Sequence, residues 1–97
     1  MDPTVAIGAL AGGLAGSAVL DRRGPSMVQR DFTPGFRCTL HHKDLGILTS
    51  AARDVGAAIP LGAMAAQLMG ALVAQGHGDL DNTALLRLVE DLSGRRP

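Results

Sequence analysis

The residues that could take part in chemistry lie together between Asp31 and Leu45. This stretch holds both phenylalanines of the 97-residue chain, its only cysteine and two of its three histidines. A thiol allows nucleophilic attack, histidines allow metal binding, and a basic side chain allows the binding of an anion. Any site to which the chain contributes is therefore expected in this stretch.

The spacing of these residues favours neither nucleophilic nor metal chemistry. No nearby signal marks Cys38 as a nucleophile, so it is interpreted as a small buried hydrophobic side chain. His41 and His42 are adjacent, and adjacent residues do not share a helix face, which argues against a metal site with two histidines. The polar loop His77–Asp81 does not match the spacing of a calcium-binding loop, so no metal site is predicted there.

Lys43 and Asp44 lie on a predicted helix over residues 39–55, with Thr39 as its N-cap and Gly56 as its C-terminal stop. At 100° per residue, one side of this helix collects Leu40, Ile47, Leu48, Ala51 and Val55. Asp44 falls in the middle of that side. A carboxylate that faces a core needs hydrogen-bond donors, so Asp44 is expected to bind backbone N–H groups of a neighbouring loop. Lys43, on the flank, suits a surface ion pair or an anion, and the residue pattern alone favours the ion pair.

Phe32 and Phe36 flank a predicted turn. Pro34 restricts the preceding residue to extended geometry, and Pro34-Gly35 fits the centre of a type II turn. The simpler interpretation is that both rings pack this loop onto the core. The alternative is that one of them forms the wall of a small-molecule pocket.

Helices are expected to position all of these residues, since no segment reads as a strand. The first begins at Asp2-Pro3. The second begins at Ser17 and is expected to stop at Gly24-Pro25. The pattern predicts an all-α fold, a compact bundle of about five helices in one domain over residues 1–97.

A helix that begins at Pro60 is the expected centre of this bundle. Its apolar side is predicted to face the core, and its small residues to leave a groove for another helix; those small residues are Ala63, Ala66, Gly70 and Ala74. Asp81 or Asn82 is the predicted cap of the last helix, over residues 83–92. Residues 93–97 are expected to form a frayed basic tail.

Composition narrows the classes of function. Nine basic residues balance nine acidic ones, so the chain has no basic surface of the kind that binds nucleic acid. A single cysteine cannot form an internal disulfide, which is typical of a cytoplasmic protein. The uncharged run Ala57–Gly76 is long enough to span a membrane, but its weak hydrophobicity favours a core helix.

Several motifs, in their order along the chain, resemble a known family. They are Arg23-Gly24-Pro25, then Asp31-Phe32-x-Pro34-Gly35-Phe36, then Lys43-Asp44-Leu45, and finally Gly76-x-Gly78-Asp79-x-Asp81. Together they resemble the helical C-terminal domain of the β-hydroxyacid dehydrogenases, which include 3-hydroxyisobutyrate dehydrogenase and tartronate semialdehyde reductase. The fold that this resemblance implies is that of the C-terminal domain of 6-phosphogluconate dehydrogenase-like proteins.

The resemblance implies roles for a few residues. In the family, a Rossmann domain binds NAD or NADP, and the helical domain covers the substrate and makes the dimer. The catalytic lysine belongs to a long helix that has no counterpart in this sequence, so no catalytic residue is expected here. Lys43 matches a lysine that contacts the cofactor, and Asp44 matches an adjacent aspartate that fits the structural role described above. Phe32 and Phe36 match a loop beside the active-site cleft and so form a possible substrate pocket.

The resemblance therefore predicts the substrate-covering and dimerisation domain of an NAD(P)-dependent dehydrogenase, inactive alone. Its cofactor, NAD or NADP, is expected to bind only with the missing Rossmann domain. The expected partner is a second copy of the chain or a complementary dehydrogenase half, with neither nucleic acid nor membrane. Two alternatives stay open, a non-catalytic helical interaction or oligomerisation module and a small membrane-associated protein.

Overall fold

The computed structural model of the protein describes residues 1–95 and shows an all-α fold without strands over that range. The five α-helices are α1 (Pro3–Ala11), α2 (Ala18–Gln29), α3 (Cys38–Val55), α4 (Pro60–Leu72) and α5 (Leu85–Leu92). A π-helical turn over Val73–His77 follows α4, and a 3₁₀ turn over Asn82–Ala84 precedes α5. The predicted fold class and helix number are thus confirmed. Residues 96–97 of the predicted tail lie outside the described residues.

The helices divide into two units. Residues 1–32 form the first, with α1 and α2, and the second begins at residue 33 and contains α3, α4 and α5. Each unit has its own packed helices, which are described separately below. The expectation of one domain over residues 1–97 stays a prediction.

Polar side chains begin both helices of the first unit, as the sequence predicts. The carboxylate of Asp2 accepts a hydrogen bond from the Thr4 N–H at 2.8 Å. The hydroxyl of Ser17 accepts one from the Leu20 N–H at 3.0 Å. These bonds satisfy N–H groups that have no partner inside a helix, which is why the two helices begin where they do.

The predicted stop at Gly24-Pro25 is wrong, because α2 continues through both residues to Gln29. Gly24 is buried, and a Cβ atom at this position would lie 3.2 Å from Ile7 Cγ2. Glycine thus lets α1 approach α2 closely, and this packing stabilises the helix across a proline that removes one backbone donor. The helix ends instead at Arg30, which has a left-handed conformation with φ of 56°.

The core of the second unit lies where α3, α4 and the segment around α5 meet. Gly56, with φ of 71°, ends α3 in the left-handed conformation, and Pro60 opens α4, both as predicted. The buried apolar side chains of the described residues are Cys38, Ala52, Met69, Leu72, Ala84 and Leu88. Because few of them are large, this core depends on close approach of the helices.

Glycines permit that close approach between α3 and α4. A Cβ atom at Gly62 would lie 3.3 Å from Leu48 Cδ2, and one at Gly70 would lie 3.2 Å from His42 Nε2. Gly70 therefore packs against α3 within this chain. The predicted groove for another helix does not include it.

The apolar side of α3 points away from the core, which corrects the sequence prediction. Ile47 is 62% exposed and Val55 is 79% exposed, whereas Cys38 and Ala52 are buried on the opposite side. Most of that side is exposed, and Leu48, at its edge, is the member that lies against α4 near Gly62. The small residues at this contact belong to α4, where Gly62 and Gly70 let the two backbones lie close.

α4 covers only part of the uncharged run that was weighed as a membrane span. It has 13 residues, and the π-helical turn Val73–His77 follows it. Among residues 1–95, no helix is both long and apolar enough to cross a membrane.

Two glycines give a matched test of this packing. A Cβ at Gly78 would collide with Thr39 Oγ1, whereas a Cβ at Gly46, inside α3, would meet open space. Gly78→Ala should lower the free energy of unfolding by about 1–3 kcal/mol because of overpacking. Gly46→Ala should raise it by about 0.5–1 kcal/mol because alanine favours the helix. Urea unfolding followed by circular dichroism measures both, and an equal effect of the two changes would contradict the packing described.

Candidate functional site

A buried aspartate organises the loop in front of α3. Asp81 is 1% exposed, and its Oδ1 accepts hydrogen bonds from the N–H groups of Gly35 and Phe36, both at 2.8 Å. Its Oδ2 accepts from the Thr83 N–H at 3.1 Å and from the Thr83 hydroxyl at 2.6 Å. One carboxylate thus ties the residues before α3 to the start of the last helical segment. We call this arrangement, of Gly35, Phe36, Asp81 and Thr83, the Asp81 clamp.

The pKa of Asp81 reflects these bonds. Burial by itself raises the pKa, but the Thr83 hydroxyl and the N–H groups of Phe36, Thr83 and Gly35 outweigh it. The result is a pKa lowered from 3.8 to about 2. The carboxylate is therefore ionised at neutral pH, and the clamp is a set of charge-assisted hydrogen bonds.

The Asp81 clamp takes the structural part that was expected of Asp44. The side chain of Asp44 is 54% exposed, and its Oδ1 lies 3.8 Å from Lys43 Nζ. The side of α3 that carries Asp44 faces outward, so its expected bonds to backbone N–H groups of a neighbouring loop stay a prediction. Two signals in the sequence pointed to Asp81, its place in the motif Gly76-x-Gly78-Asp79-x-Asp81 and its prediction, beside Asn82, as the cap of the last helix. The structure confirms Asp81 as the cap through Thr83.

The predicted type II turn at Pro34-Gly35 is also wrong. Such a turn needs a positive φ at its third residue. Among the described residues, the glycines with positive φ are Gly56, Gly76 and Gly94. The chain bends instead so that two successive N–H groups converge on Asp81 Oδ1.

Backbone hydrogen bonds extend the Asp81 clamp to the first turn of α3. The Cys38 N–H donates to the Leu80 carbonyl at 2.9 Å, and the Thr39 N–H donates to the Gly78 carbonyl at 3.0 Å. The structural N-cap of α3 is Arg37, one residue before the helix and two before the predicted Thr39, whose hydroxyl donates to the Gly78 carbonyl at 2.9 Å. The N–H groups that a helix start otherwise offers to a phosphate are thus already hydrogen-bonded to carbonyl groups. An anion beside α3 must therefore be bound by side chains.

Cys38 is part of the same anchored turn. Its thiol is buried and donates to the Asp81 carbonyl at 3.3 Å. Burial first, and then the negative charge of Asp81, raises the pKa of this thiol. The thiol stays protonated at neutral pH, which agrees with the predicted hydrophobic role and not with a nucleophile.

Phe36 follows directly from the clamp. Its ring packs against the ring of His41, with centroids 5.7 Å apart and planes tilted by 55°. The amide nitrogen of Asn82 lies 3.2 Å from His41 Nδ1. Phe36, His41 and Asn82 therefore form a partly buried cluster that sequence reasoning did not find, because Asn82 lies 41 positions from His41 in the sequence.

Phe32 belongs to the first unit and lies in a different environment. The guanidinium carbon of Arg30 lies 5.8 Å from the centre of its ring, within the range of a cation–π contact. The ring is half-buried. The two phenylalanines of the sequence thus have separate neighbours.

Lys43 is the only lysine of the chain and lies in the second turn of α3. Its side chain is 64% exposed on the outward side of that helix. Exposed apolar residues share this side, namely Leu40, Ile47, Ala51 and Val55. We call these residues, with Lys43 and Asp44, the outer face of α3. In the part of the chain that the structure describes, no group of three or more histidine, cysteine or acidic residues could hold a metal ion.

Comparisons with a family model and with individual proteins point to the same family. The family model described as "NAD-binding of NADP-dependent 3-hydroxyisobutyrate dehydrogenase" matches residues 1–89. The chain is 34% identical to 2-hydroxy-3-oxopropionate reductase of Escherichia coli, covering 98% of this chain and 32% of that protein. It is 42% identical to a mitochondrial 3-hydroxyisobutyrate dehydrogenase-like protein of Arabidopsis thaliana, covering 88% of this chain and 25% of that protein.

A solved structure has the same fold. The crystal structure of 3-hydroxyisobutyrate dehydrogenase from Salmonella typhimurium matches with a TM-score of 0.87 and 22% identity, covering 91% of this chain and 31% of that one. The chain thus spans between a quarter and a third of the length of these proteins.

Removal of the Asp81 charge should weaken the clamp. Asp81→Asn replaces the charged carboxylate with a neutral amide. The NH₂ group of this amide then faces the Thr83 N–H, which is also a donor. We expect the free energy of unfolding to fall by about 2–3 kcal/mol, as for a lost hydrogen bond to a charged group. Asp79→Asn, at an exposed position two residues earlier, is the matched control and should change stability little. Equal stability of the two variants in urea would show that the clamp does not hold this loop.

Acid should remove the same contribution. A carboxyl with a lowered pKa in the folded state stabilises the fold above its unfolded pKa and loses that effect as the pH falls. The difference between 3.8 and about 2 corresponds to about 2 kcal/mol, complete above about pH 5 and largely lost near pH 2. Urea midpoints at several pH values should therefore converge for the parent chain and Asp81→Asn as the pH falls. A constant gap between them down to pH 2 would contradict the assignment.

Proposed function

We propose a function from the premise that this chain belongs to the β-hydroxyacid dehydrogenase family: it forms the helical part that covers coenzyme and substrate in an NAD(P)-dependent dehydrogenase. The observation that carries the proposal is the outer face of α3. This face combines one exposed cation with exposed apolar residues, and the Asp81 clamp fixes the helix start behind it. Such a face suits contact with a second protein surface that holds an anionic ligand.

Lys43 is the proposed coenzyme contact. Its ammonium group is a mobile point charge, which suits a phosphate or another anionic group of the coenzyme. Asp44 lies beside it at 3.8 Å and offers a competing partner for the same ammonium, so the two charges together form a pair that an anion can redirect. This role differs from the simple surface ion pair that the residue pattern alone favoured.

The residues present fit NAD or NADP in part. A dinucleotide is ordinarily held by a sheet and a helix start that binds its pyrophosphate. Here the start of α3 is occupied by the carbonyls of Gly78 and Leu80. This chain therefore supplies a single charged contact and a cover against water, while the coenzyme supplies the hydride chemistry when bound.

Phe36 is the proposed wall of the substrate pocket on this side. The Asp81 clamp positions its backbone, and the residue is only partly buried. Phe32 is kept as a weaker candidate, since its ring already contacts Arg30. Asp44 is proposed to gain backbone donors only when the covering contact forms.

By itself, the 97-residue polypeptide is proposed to have no dehydrogenase activity. Lys43, the residue assigned to the coenzyme, is proposed to bind an anion and not to transfer a proton to or from a hydroxyl group. We also propose a cytoplasmic location, supported by the lone buried Cys38, and assembly with a dehydrogenase half or a second copy.

A non-catalytic interaction module is the second candidate function, and the exposed apolar residues of α3 favour it equally.

A chimeric enzyme tests the proposal. Residues 1–95 of this chain would replace the matched third of the Escherichia coli 2-hydroxy-3-oxopropionate reductase, and NAD(P)H oxidation would be measured with that enzyme's substrate. We expect activity from the chimera and none from the isolated chain. In the chimera, Lys43→Ala should raise the coenzyme KM roughly tenfold, because a contact of about 1.5 kcal/mol with a charged group is lost.

Arg53→Ala is the matched control, since Arg53 is an exposed cation on the same helix. It should leave the coenzyme KM unchanged. An identical KM for both variants would remove Lys43 from the coenzyme site. A well-folded chimera that binds no coenzyme would favour the interaction module instead, and turnover by the isolated chain would overturn the proposed dependence on a second half.

A further inference from the structure

The backbone of Phe36 is held at both of its polar groups by two successive residues. Its N–H donates to the Asp81 carboxylate at 2.8 Å, and its carbonyl accepts from the Asn82 N–H, also at 2.8 Å. All three residues belong to the second unit, where these bonds join the loop before α3 to the segment before α5. The backbone of Phe36 is therefore fixed, and only rotation of its side chain can still move the ring.

His41 restricts that rotation. It lies in the first turn of α3, and its ring centre is 5.7 Å from that of Phe36, with the two planes tilted by 55°. This distance is within the range at which two aromatic rings pack favourably. The side chain of a histidine on a helix can itself rotate, so the contact fixes Phe36 only if a further group holds the imidazole.

The side chain of Asn82 holds the imidazole. Its amide nitrogen lies 3.2 Å from His41 Nδ1. An amide nitrogen can donate a hydrogen bond but cannot accept one, so Nδ1 is the acceptor and the proton of the neutral ring is on Nε2. Asn82 thus holds Phe36 twice, at its carbonyl and, through His41, at its ring.

We propose that Asn82 and His41 together position the ring of Phe36 against the substrate. This inference rests on the proposed function, in which Phe36 is a wall of the substrate pocket. His41 and Asn82 are positioning residues, since they act through Phe36 and do not touch the substrate. A ring that is already fixed loses less side-chain entropy when the substrate binds, so the pair lowers the substrate KM.

A direct contact between His41 and the substrate is the competing role. Nε2 of His41 has no hydrogen-bond partner among residues 1–95, and no side-chain nitrogen or oxygen of those residues is both buried and unpartnered. The Nε2–H group therefore reaches solvent and can donate to a substrate oxygen. The two roles need different things: positioning needs the bond between Nδ1 and residue 82, whereas direct contact needs a proton on Nε2.

Nuclear magnetic resonance of the imidazole nitrogens tests the pair in the isolated 97-residue chain, at about pH 8.5, where an imidazole is ordinarily neutral. We expect the proton of His41 on Nε2 in the parent chain. In Asn82→Asp it should move to Nδ1, because a carboxylate only accepts. His77, in the π-helical turn, is the internal reference and should not change. A parent His41 with its proton on Nδ1, or with both tautomers present, would contradict the pair.

The substrate KM of the chimeric enzyme, measured at the same pH, tests the positioning. Asn82→Ala keeps the backbone bond to Phe36 but removes the side-chain bond, so the substrate KM should rise about fivefold while the coenzyme KM and kcat stay nearly constant. Asn82→Asp retains the pair and should restore a KM close to that of the parent. His42→Ala is the matched control, since this imidazole lies against Gly70, and should leave the substrate KM unchanged.

A double-mutant cycle decides whether the pair acts through the ring of Phe36. In a Phe36→Ala background, Asn82→Ala should have no further effect on the substrate KM. A full effect in that background would refute positioning, and so would a raised KM in Asn82→Asp, which would assign His41 a direct contact. An unchanged KM in Asn82→Ala would reject this inference but leave the role of Lys43, which is read from the coenzyme KM. A chimera that binds no coenzyme would reject the proposed function and this inference together, whatever the tautomer of His41.

Discussion

The ionised carboxylate of Asp81 is the interaction on which the second unit depends. A buried charge is tolerated only where hydrogen bonds replace water, and Asp81 accepts four of them. Two come from Gly35 and Phe36, which lie 46 and 45 positions away in the sequence. The other two come from Thr83 at the start of the last helical segment. One side chain therefore closes a long loop and begins a helical segment. The position of Phe36 is a direct consequence.

Because of this clamp, the first turn of α3 is held in place, whereas one side of the helix is exposed. The first N–H groups of the helix are bound by the carbonyls of Gly78 and Leu80, so the helix start has a defined place against the loop that follows the π-helical turn. Cys38 and Ala52 are the buried residues of its inner side. Lys43 is consequently carried outward on a helix that is fixed from behind. A long cationic side chain on a rigid element can reach an anion with little loss of backbone entropy.

The outer face of α3 mixes charge with apolar area, which favours a specific ligand-bearing surface. Exposed apolar side chains also lie on α4, namely Leu61 and Met64. The matched relatives are three to four times as long as the region that they share with this chain, so a helix that looks half-packed here need not be so in a larger assembly.

Local chemistry determined several of the helix ends. Asp2 and Ser17 begin two of them, Gly56 ends a third and Pro60 opens a fourth, because caps, left-handed glycines and N-terminal prolines act over one or two turns. The order of the motifs along the chain was also enough to identify the family, which the comparisons confirm.

Only the tertiary structure decided which side of each helix is buried and which aspartate is structural. Periodicity places Ile47 and Asp44 on one side of α3, but the direction of that side depends on how closely α4 approaches, which Gly62 and Gly70 permit. Two of the donors to Asp81, the N–H groups of Gly35 and Phe36, lie more than forty residues away, beyond the reach of any local pattern. The helix across Pro25 was missed for the same reason, since it depends on contact with a different helix. Local rules determine where a helix can form, whereas contacts between distant residues determine what it faces.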